Sequence, residues 1–226
     1  MIYPGRPFAG KETRVAEGAY NKPLAALRLA ATWALVAALV WLAEPNPIGV
    51  TVGFVIAVLG EIVRFWAAGH LIKTKELITS GPYRYTRNPL YLGRLLILTG
   101  LCVMAELPYH ANWIVLAVGY AIFFGYYMPR KERVEPNRLK AEHGEPYERY
   151  FEAVPALFPT LRPYEQGSTA GWSSERMMRN REHWMVVGIL VISGLLLWKS
   201  YRIPEPIEAV PSPAGEAAAS GEAARS

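Results

Sequence analysis

The stretch that decides the fold is ITSGPYRYTRNPLYLGRLL, from Ile78 to Leu96. Its first half is polar and rich in turn-forming residues, and it runs directly into a long apolar segment. Ser80-Gly81-Pro82 indicates a turn, since proline fixes the backbone angle that a turn needs. Asn88 is typical of a helix N-cap and Pro89 of the first helical position. The stretch therefore predicts a loop that ends where an apolar helix begins.

Apolar residues elsewhere in the chain are gathered into similar blocks. The protein has 226 residues, of which 52% are hydrophobic, and the charged residues lie mostly between the blocks. Each block is about long enough to cross a hydrocarbon core of roughly 30 Å as a helix. The sequence predicts an all-α, polytopic membrane protein with about five transmembrane helices, at Leu24–Ala43, Ile48–Gly69, Leu90–Leu107, Asn112–Met128 and Trp184–Tyr201.

The basic residues predict the orientation of these helices. The N-terminal arm and the loop after the second block are basic, and residues 129–183 contain ten Lys or Arg. The short loops at 44–47 and 108–111 contain none. By the positive-inside rule, the N-terminus and both basic loops are cytoplasmic, and any site on them opens to that side. The net charge of +5 is attributed to contact with anionic lipid, so no nucleic acid is expected as a partner.

The same pattern divides the chain into segments. No cleavage site follows the first block, which indicates an uncleaved signal anchor. The single Cys102 and the four scattered histidines form no metal-binding motif, so no metal site is expected. The sequence leaves the oligomeric state open. The predicted segments are a cytoplasmic arm (1–23), a membrane core (24–164), a cytoplasmic linker (165–183), an additional transmembrane helix (184–201) and a disordered tail (202–226).

Two ionisable residues lie well inside the second apolar block. Glu61 and Arg64 are three residues apart, so they share a helix face and can pair. An ionisable residue within the membrane is a candidate site residue, but the two could equally form an ion pair that fixes helix packing. Arg28 and Arg94 lie near predicted helix ends, where a long side chain can reach the interface.

The loop before the third block also has the character of a ligand site. A helix N-terminus attracts anionic groups, and Arg84 and Arg87 add positive charge beside it. Tyr83, Tyr85 and Tyr91 offer aromatic faces that can stack on a base or contact a cation. Tyrosine and arginine are also common in the interfacial belts of membrane proteins, so these residues alone leave both interpretations open.

A family resemblance favours the binding interpretation. The motif LITSGPYRYTRNPLYLG is followed by a hydrophobic hairpin and then by VEPNRLKAEHGEPYERYFEAVPALFP. This order resembles the isoprenylcysteine carboxyl methyltransferase and phospholipid methyltransferase group of membrane enzymes, over about Ile72 to Pro159. The resemblance implies S-adenosyl-L-methionine as methyl donor, in a pocket at the cytoplasmic face.

The resemblance also implies individual site residues. Lys131 stands where the family has an arginine that meets the substrate, and Lys131 and Glu135 are the candidate catalytic residues. Arg87 is added to the donor site because of its charge beside the helix N-terminus. The residues that the resemblance implies for the donor are Lys75, Glu76, Leu77, Ile78, Tyr83, Asn88, Pro89, Leu90, Tyr91 and Glu135.

Four positions depart from the family pattern. Asn88 replaces a histidine, Lys131 an arginine and His143 a phenylalanine. Pro136 replaces a second glutamate and is expected to break or kink the helix there. Glu135 could alternatively cap a helix that Pro136 begins.

A short amphipathic helix is predicted after Pro136, from Asn137 to Val154. Its tyrosines could either pack or contact a ligand. The apolar side of this predicted helix consists of Leu139, Tyr147, Tyr150, Phe151 and Val154.

The expected function is methyl transfer to a membrane-embedded, lipid-like acceptor. A carboxylate of the isoprenylcysteine type is favoured because it needs no general base, whereas an ammonium must first lose a proton. The alternatives are a phospholipid N-methyltransferase, a non-catalytic member of the family, and an NADPH-dependent membrane sterol reductase. Sterol reductases have a similar cytoplasmic ending.

Overall fold

The computed structural model describes residues 22–72, 77–166, 168 and 170–202. These residues form helices and connecting loops and contain no strand, which confirms the predicted all-α class. The N-terminal arm up to residue 21, the tail from residue 203, and Lys75 and Glu76 lie outside the described residues. The chain divides into two compact units, residues 1–39 and 40–226. Helix α1 (Lys22–Leu42) lies mainly in the first unit and covers the first predicted block.

Helices α2 (Pro47–His70) and α3 (Pro89–Ala105) form the centre of the second unit as an antiparallel pair. The N-cap of α2 is Asn46, whose side chain accepts a hydrogen bond from the Gly49 amide at 2.7 Å. Glycines let the two helices approach closely. A Cβ atom on Gly60 would lie 2.7 Å from the carbonyl oxygen of Gly93, so a larger residue would push the helices apart.

The fourth apolar block belongs to one long continuous helix. Helix α4 (Ala111–Ile122) passes through a π-helical turn into α5 (Met128–His143). Pro136 lies inside α5, so the expected break at Pro136 is wrong. The proline removes one intrahelical hydrogen bond, and the strong helix formers on both sides of it continue the helix.

The predicted single helix from Asn137 to Val154 is also wrong, because the chain turns at Gly144. Gly144 has a φ of 61°, a conformation that favours glycine, and it separates α5 from α6 (Glu145–Ala153). The predicted apolar side is nevertheless the packed one. Tyr147, Tyr150 and Val154 are buried together, and the half-buried Leu139 and Phe151 pack against them.

The last part of the chain forms a short helix, α7 (Ser174–Arg179), and the apolar helix α8 (Glu182–Ser200). Helix α8 packs along α2 and contacts α3. At its C-terminal end, the ammonium of Lys199 donates to the carbonyl oxygen of Val40 at 3.3 Å. The fifth block is therefore an integral part of the second unit.

Three helical segments are long and apolar enough to cross a membrane: Pro47–His70, Pro108–His143 and Glu182–Ser200. Helix α3 is equally apolar but shorter, with 17 residues. The chain is therefore a helical membrane protein with three candidate spans among the described residues. Hydrogen bonds join Glu44 to Glu106 at one end of the helix pair and Gly69 to Ser173 at the other. The two loops without Lys or Arg thus share one end, while the cytoplasmic location of the basic end stays a prediction.

Candidate functional site

The loop before α3 is held in place by the segment that follows α6. A short 3₁₀ turn, Gly81–Arg84, begins this loop, as the Ser-Gly-Pro motif predicts. The amide of Thr160 donates to the carbonyl of Tyr85 at 2.9 Å, and the hydroxyl of Thr86 donates to the carbonyl of Leu157 at 2.9 Å. These bonds fix the N-terminus of α3 against a segment about 70 residues later in the chain.

Asn88 and Pro89 begin α3 at the predicted positions, but Asn88 does not cap the helix with its side chain. Its amide nitrogen instead donates to Glu132 Oε1 on α5 at 3.2 Å and to the carbonyl of Ala156 at 2.8 Å. The expected N-cap hydrogen bond is therefore wrong, because partners from other parts of the fold engage the side chain. Asn88 serves as a link between α3, α5 and the segment after α6.

Arg87, the preceding residue, contacts the same carboxylate. Its Nη2 atom lies 2.7 Å from Glu132 Oε2, in a pair whose side chains are 13% and 26% exposed. The guanidinium also lies 3.6 Å from the centre of the Phe151 ring on α6. A charge-assisted hydrogen bond and a cation–π contact thus hold Arg87 between α5 and α6.

A second charged group on α5 faces the first turn of α3. The ammonium of Lys131 lies 3.0 Å from Glu135 Oε2 and 4.4 Å from the centre of the Tyr91 ring. The guanidinium of Arg94 lies 5.2 Å from the same ring centre, and the Phe123 ring packs on Tyr91 with 5.9 Å between ring centres. Tyr91 thus has two cations close to its ring, an arrangement that the electron-rich face of an aromatic ring stabilises.

Two buried tyrosines close the site on the side of α6. The hydroxyl of Tyr150 donates to the main-chain oxygen of Tyr83 at 2.8 Å. Burial raises the pKa of the Tyr83 phenol, and the nearby Glu135 carboxylate raises it further. Burial likewise raises the pKa of Tyr150. Both phenols therefore stay neutral at physiological pH and can only exchange hydrogen bonds.

Most of the site residues predicted from the sequence meet at this one place. Leu77 also lies near, packed against the buried tyrosines of α6, and Ile78 is half-buried in the loop before the turn. Lys75 and Glu76 lie outside the described residues. The residues that gather around the first turn of α3 are Tyr83, Arg87, Asn88, Pro89, Leu90, Tyr91, Lys131 and Glu135.

The sequence interpretation missed Glu132, which makes more contacts to the start of α3 than Glu135 does. A signal for it was present, since Glu132 and Glu135 are three residues apart and share a face of a helix. Glu135 itself lies inside α5 and one turn after Lys131. The alternative that Glu135 caps a helix beginning at Pro136 is therefore wrong.

Unsatisfied polar atoms lie at the same place. Asn88 Oδ1 and Arg87 Nε are buried and have no hydrogen-bond partner among the described residues. Buried polar atoms of this kind are costly unless a ligand or water satisfies them. An acceptor and a donor beside a helix N-terminus suit a ligand that carries both an amino group and a carboxylate.

Glu61 and Arg64 form the predicted pair, and a third residue completes it. Arg64 Nε lies 3.5 Å from Glu61 Oε2, while Nη2 lies 2.6 Å from Glu182 Oε2 at the start of α8. Arg64 Nη1 donates to the carbonyl of Leu90 at 3.2 Å, in the first turn of α3. All three charged side chains are at least nine-tenths buried. The sequence predicted only an additional transmembrane helix here, and Glu182 precedes that apolar block.

No group of three or more His, Cys, Asp or Glu side chains that could hold a metal ion occurs in the part of the chain that the structure describes.

Comparison with known proteins gives one family and two relatives. Residues 34–132 match the model of the phospholipid methyltransferase family, which confirms the resemblance seen in the sequence. The cobalt-zinc-cadmium resistance protein CzcN of Cupriavidus metallidurans is 34% identical over 126 residues, 55% of each chain. The nickel-cobalt-cadmium resistance protein NccN of Alcaligenes xylosoxydans xylosoxydans is 32% identical over 121 residues, 53% of this chain and 54% of that one.

The matched region thus covers only about half the length of these curated relatives. No solved structure matches the chain.

Proposed function

We propose that this chain, whose residues 34–132 match the phospholipid methyltransferase family, transfers a methyl group from S-adenosyl-L-methionine to a lipid-like acceptor in the membrane. The observation that carries the proposal is the meeting of α5 with the first turn of α3. The family resemblance assigns residues of both segments to the donor. The segments are about 45 residues apart in the chain, yet Arg87 and Asn88 of the first both contact Glu132 of the second.

The residues at this meeting point suit the polar parts of the donor. The N-terminus of α3 and Arg87 would bind its carboxylate, and Asn88 Oδ1 would accept a hydrogen bond from its amino group. Glu135 would accept ribose hydroxyls or pair with the ammonium. Tyr83 and Tyr91 offer faces for the adenine and for positive charge.

When bound, S-adenosyl-L-methionine supplies an electrophilic methyl group on a sulfonium sulfur. The task of the protein is then alignment, because direct displacement needs the acceptor, methyl carbon and sulfur in line. Glu132 would contribute by holding Arg87 and Asn88 in fixed positions. Lys131, whose ammonium lies between Glu135 and Tyr91, would meet an anionic group of the acceptor.

The lipid-like character of the acceptor is inferred from the location of this site in a helical membrane protein. A lipid-like molecule would reach the site from within the bilayer, while the soluble donor would enter from the loop side. An isoprenylcysteine-type carboxylate suits Lys131 and needs no general base. A phospholipid amine is the alternative acceptor. The names of the two relatives concern metal resistance and specify no acceptor.

The experiment that tests this function is a calorimetric titration of the purified protein in detergent. S-adenosyl-L-methionine and its homocysteine product are expected to bind with micromolar affinity, and NADPH is not. Tyr91→Ala should weaken donor binding about tenfold or more, since a lost contact to a charged group is worth roughly 1.5–3 kcal/mol.

Tyr109→Ala is the matched control, because Tyr109 is fully exposed at the opposite end of the helix pair and should not affect binding. Binding of NADPH alone would contradict the proposal in favour of a reductase. Binding of none of the three ligands would favour a non-catalytic member of the family.

A further inference from the structure

The contact region of α2 and α8 contains none of the residues assigned to the methyl donor. A cavity of about 460 Å³ is present there, within the range of roughly 300–1,000 Å³ that small-molecule pockets occupy. Its lining is apolar with a single exception, the carboxylate-bearing Glu61. The lining includes Glu61, Ile62, Phe65, Trp66, Trp172 and Leu190.

The cavity opens on the surface that faces the bilayer. Ile62 and Leu190, one from each helix, are 57% and 55% exposed, and Trp66 is 43% exposed. Both helices are candidate membrane spans, so in a bilayer these residues would face lipid chains. An occupant therefore has an apolar part that is compatible with lipid.

Glu61 is the polar feature that an occupant would meet. Its side chain is only 9% exposed, and neither carboxylate oxygen has a hydrogen-bond partner among the described residues. A buried carboxylate without hydrogen bonds is strongly unfavourable unless a partner compensates it. The cation beside it, Arg64, lies 3.5 Å away through Nε.

Arg64 does not neutralise Glu61 fully, because the guanidinium of Arg64 also contacts two other groups. Its Nη2 atom makes the shorter contact, 2.6 Å, with Glu182. Its Nη1 atom donates to the carbonyl of Leu90 at 3.2 Å. The three side chains therefore contain two carboxylates for one guanidinium, and Glu61, which carries the one left over, is among the residues that line the cavity, with its oxygens buried.

We propose that this cavity binds a chain-bearing amphiphile with a protonated amine as its head group, and that the amine pairs with Glu61. The apolar lining of α2 and α8 would hold the chain. The ammonium would supply the charge and the hydrogen-bond donors that Glu61 lacks. Trp172 closes the loop end of the cavity, stacked on Phe65 with ring centres 5.7 Å apart.

This inference goes beyond the proposed methyl transfer. It concerns binding without a donor, and α8 lies outside the residues that match the family. The site is linked to the donor region through Arg64, which contacts Leu90 at the start of α3, and through Trp66, whose ring centre lies 6.3 Å from that of Tyr85.

The test uses the full-length protein in phosphatidylcholine nanodiscs without S-adenosyl-L-methionine. The discs contain equal small amounts of oleylamine, oleyl alcohol or oleic acid, and native mass spectrometry measures which probe stays bound to the protein. Oleylamine is expected to be retained at least tenfold more than the alcohol or the acid. Propylamine, which has the head group without the chain, is expected not to be retained.

Substitutions locate the site. Glu61→Gln keeps the size of the side chain and should remove the preference for oleylamine. Glu175→Gln, the matched control, removes a carboxylate from an exposed pair on α7 and should leave the preference intact. Leu190→Trp should fill the cavity and reduce retention of the amine while leaving Glu61 in place.

Equal retention of oleylamine and oleyl alcohol by the unsubstituted protein would overturn the proposal. This comparison uses no variant, so it does not depend on whether a variant folds. An amine preference that survives Glu61→Gln in a folded variant would overturn it as well. Because no donor is present, neither result depends on whether the protein is a methyltransferase.

Discussion

Arg87 and Glu132, 45 residues apart in the chain, form a largely buried ion pair with 2.7 Å between Nη2 and Oε2. The pair connects the loop before α3 to the middle of the long helix that α4 and α5 form. The same carboxylate accepts a hydrogen bond from Asn88. One residue of α5 thereby sets the position of two consecutive residues at the start of α3.

Replacing this carboxylate should destabilise the protein. Glu132→Gln keeps the shape of the side chain but removes the charge that Arg87 and Asn88 share. We expect a loss of roughly 1.5–3 kcal/mol, the usual worth of hydrogen bonds to a charged group, and a lower midpoint of thermal unfolding. Glu175→Gln serves as control, because its pair with Arg179 is highly exposed. Equal midpoints for the two variants would mean that Glu132 does not hold the site together.

Glu135 should behave differently, since it is assigned to the donor. Its pair with Lys131 is partly exposed, and pairs of that kind contribute only about 0.3–0.5 kcal/mol. Glu135→Gln should therefore weaken S-adenosyl-L-methionine binding about tenfold in calorimetry with almost no change in thermal unfolding. Glu135→Asp, which keeps the charge, should lose less affinity than the glutamine variant. Unchanged affinity in the glutamine variant would remove Glu135 from the site.

The sequence was sufficient to predict features that depend on local pattern. Four of the five apolar blocks became helices near their predicted bounds, the fourth became part of a longer helix, and Pro89 begins α3 as expected. The spacing of Glu61 and Arg64 was enough to predict that they pair. Each of these features follows from residues that are close together in the chain.

Features that depend on distant partners could not be predicted in this way. Asn88 fails to cap α3 because Glu132 and Ala156 engage its amide nitrogen. Pro136 was expected to break or kink a helix, yet α5 continues through it. Glu182 precedes the fifth apolar block, and its contact with Arg64, 118 residues earlier in the chain, depends on the fold.

Substitutions of Arg64 and Glu182, which form a buried pair, should have strongly non-additive effects on the free energy of unfolding. Arg64→Met alone leaves two carboxylates buried without their cation, and breaking a buried pair in this way costs about 3–5 kcal/mol. Combining it with Glu182→Leu removes one of these carboxylates and should recover part of the loss. Unfolding free energies of the two single variants and the double variant measure this coupling. Strictly additive effects would show that the two side chains do not interact.

The predicted orientation can be tested with single cysteines at opposite ends of the helix pair. Ser168 lies at the basic end and Tyr109 at the other end, and both are exposed. The native Cys102 is buried, so it should not react with the maleimide. In intact cells an impermeant maleimide should label Tyr109→Cys and leave Ser168→Cys unlabelled until the membrane is opened. Labelling of Ser168→Cys from outside would reverse the predicted topology.

The central claim is that the protein transfers methyl groups to a lipid-like acceptor. The most direct measurement incubates membranes containing the protein with S-adenosyl-L-methionine labelled in its methyl group, and counts the label that enters the lipid extract. We expect label in the extract with the unsubstituted protein and with Tyr109→Ala, and a decrease of tenfold or more with Tyr91→Ala. The claim would be contradicted if the lipid extract contained no more label than the extract of membranes that lack the protein. It would also be contradicted if Tyr91→Ala gave as much label as the unsubstituted protein.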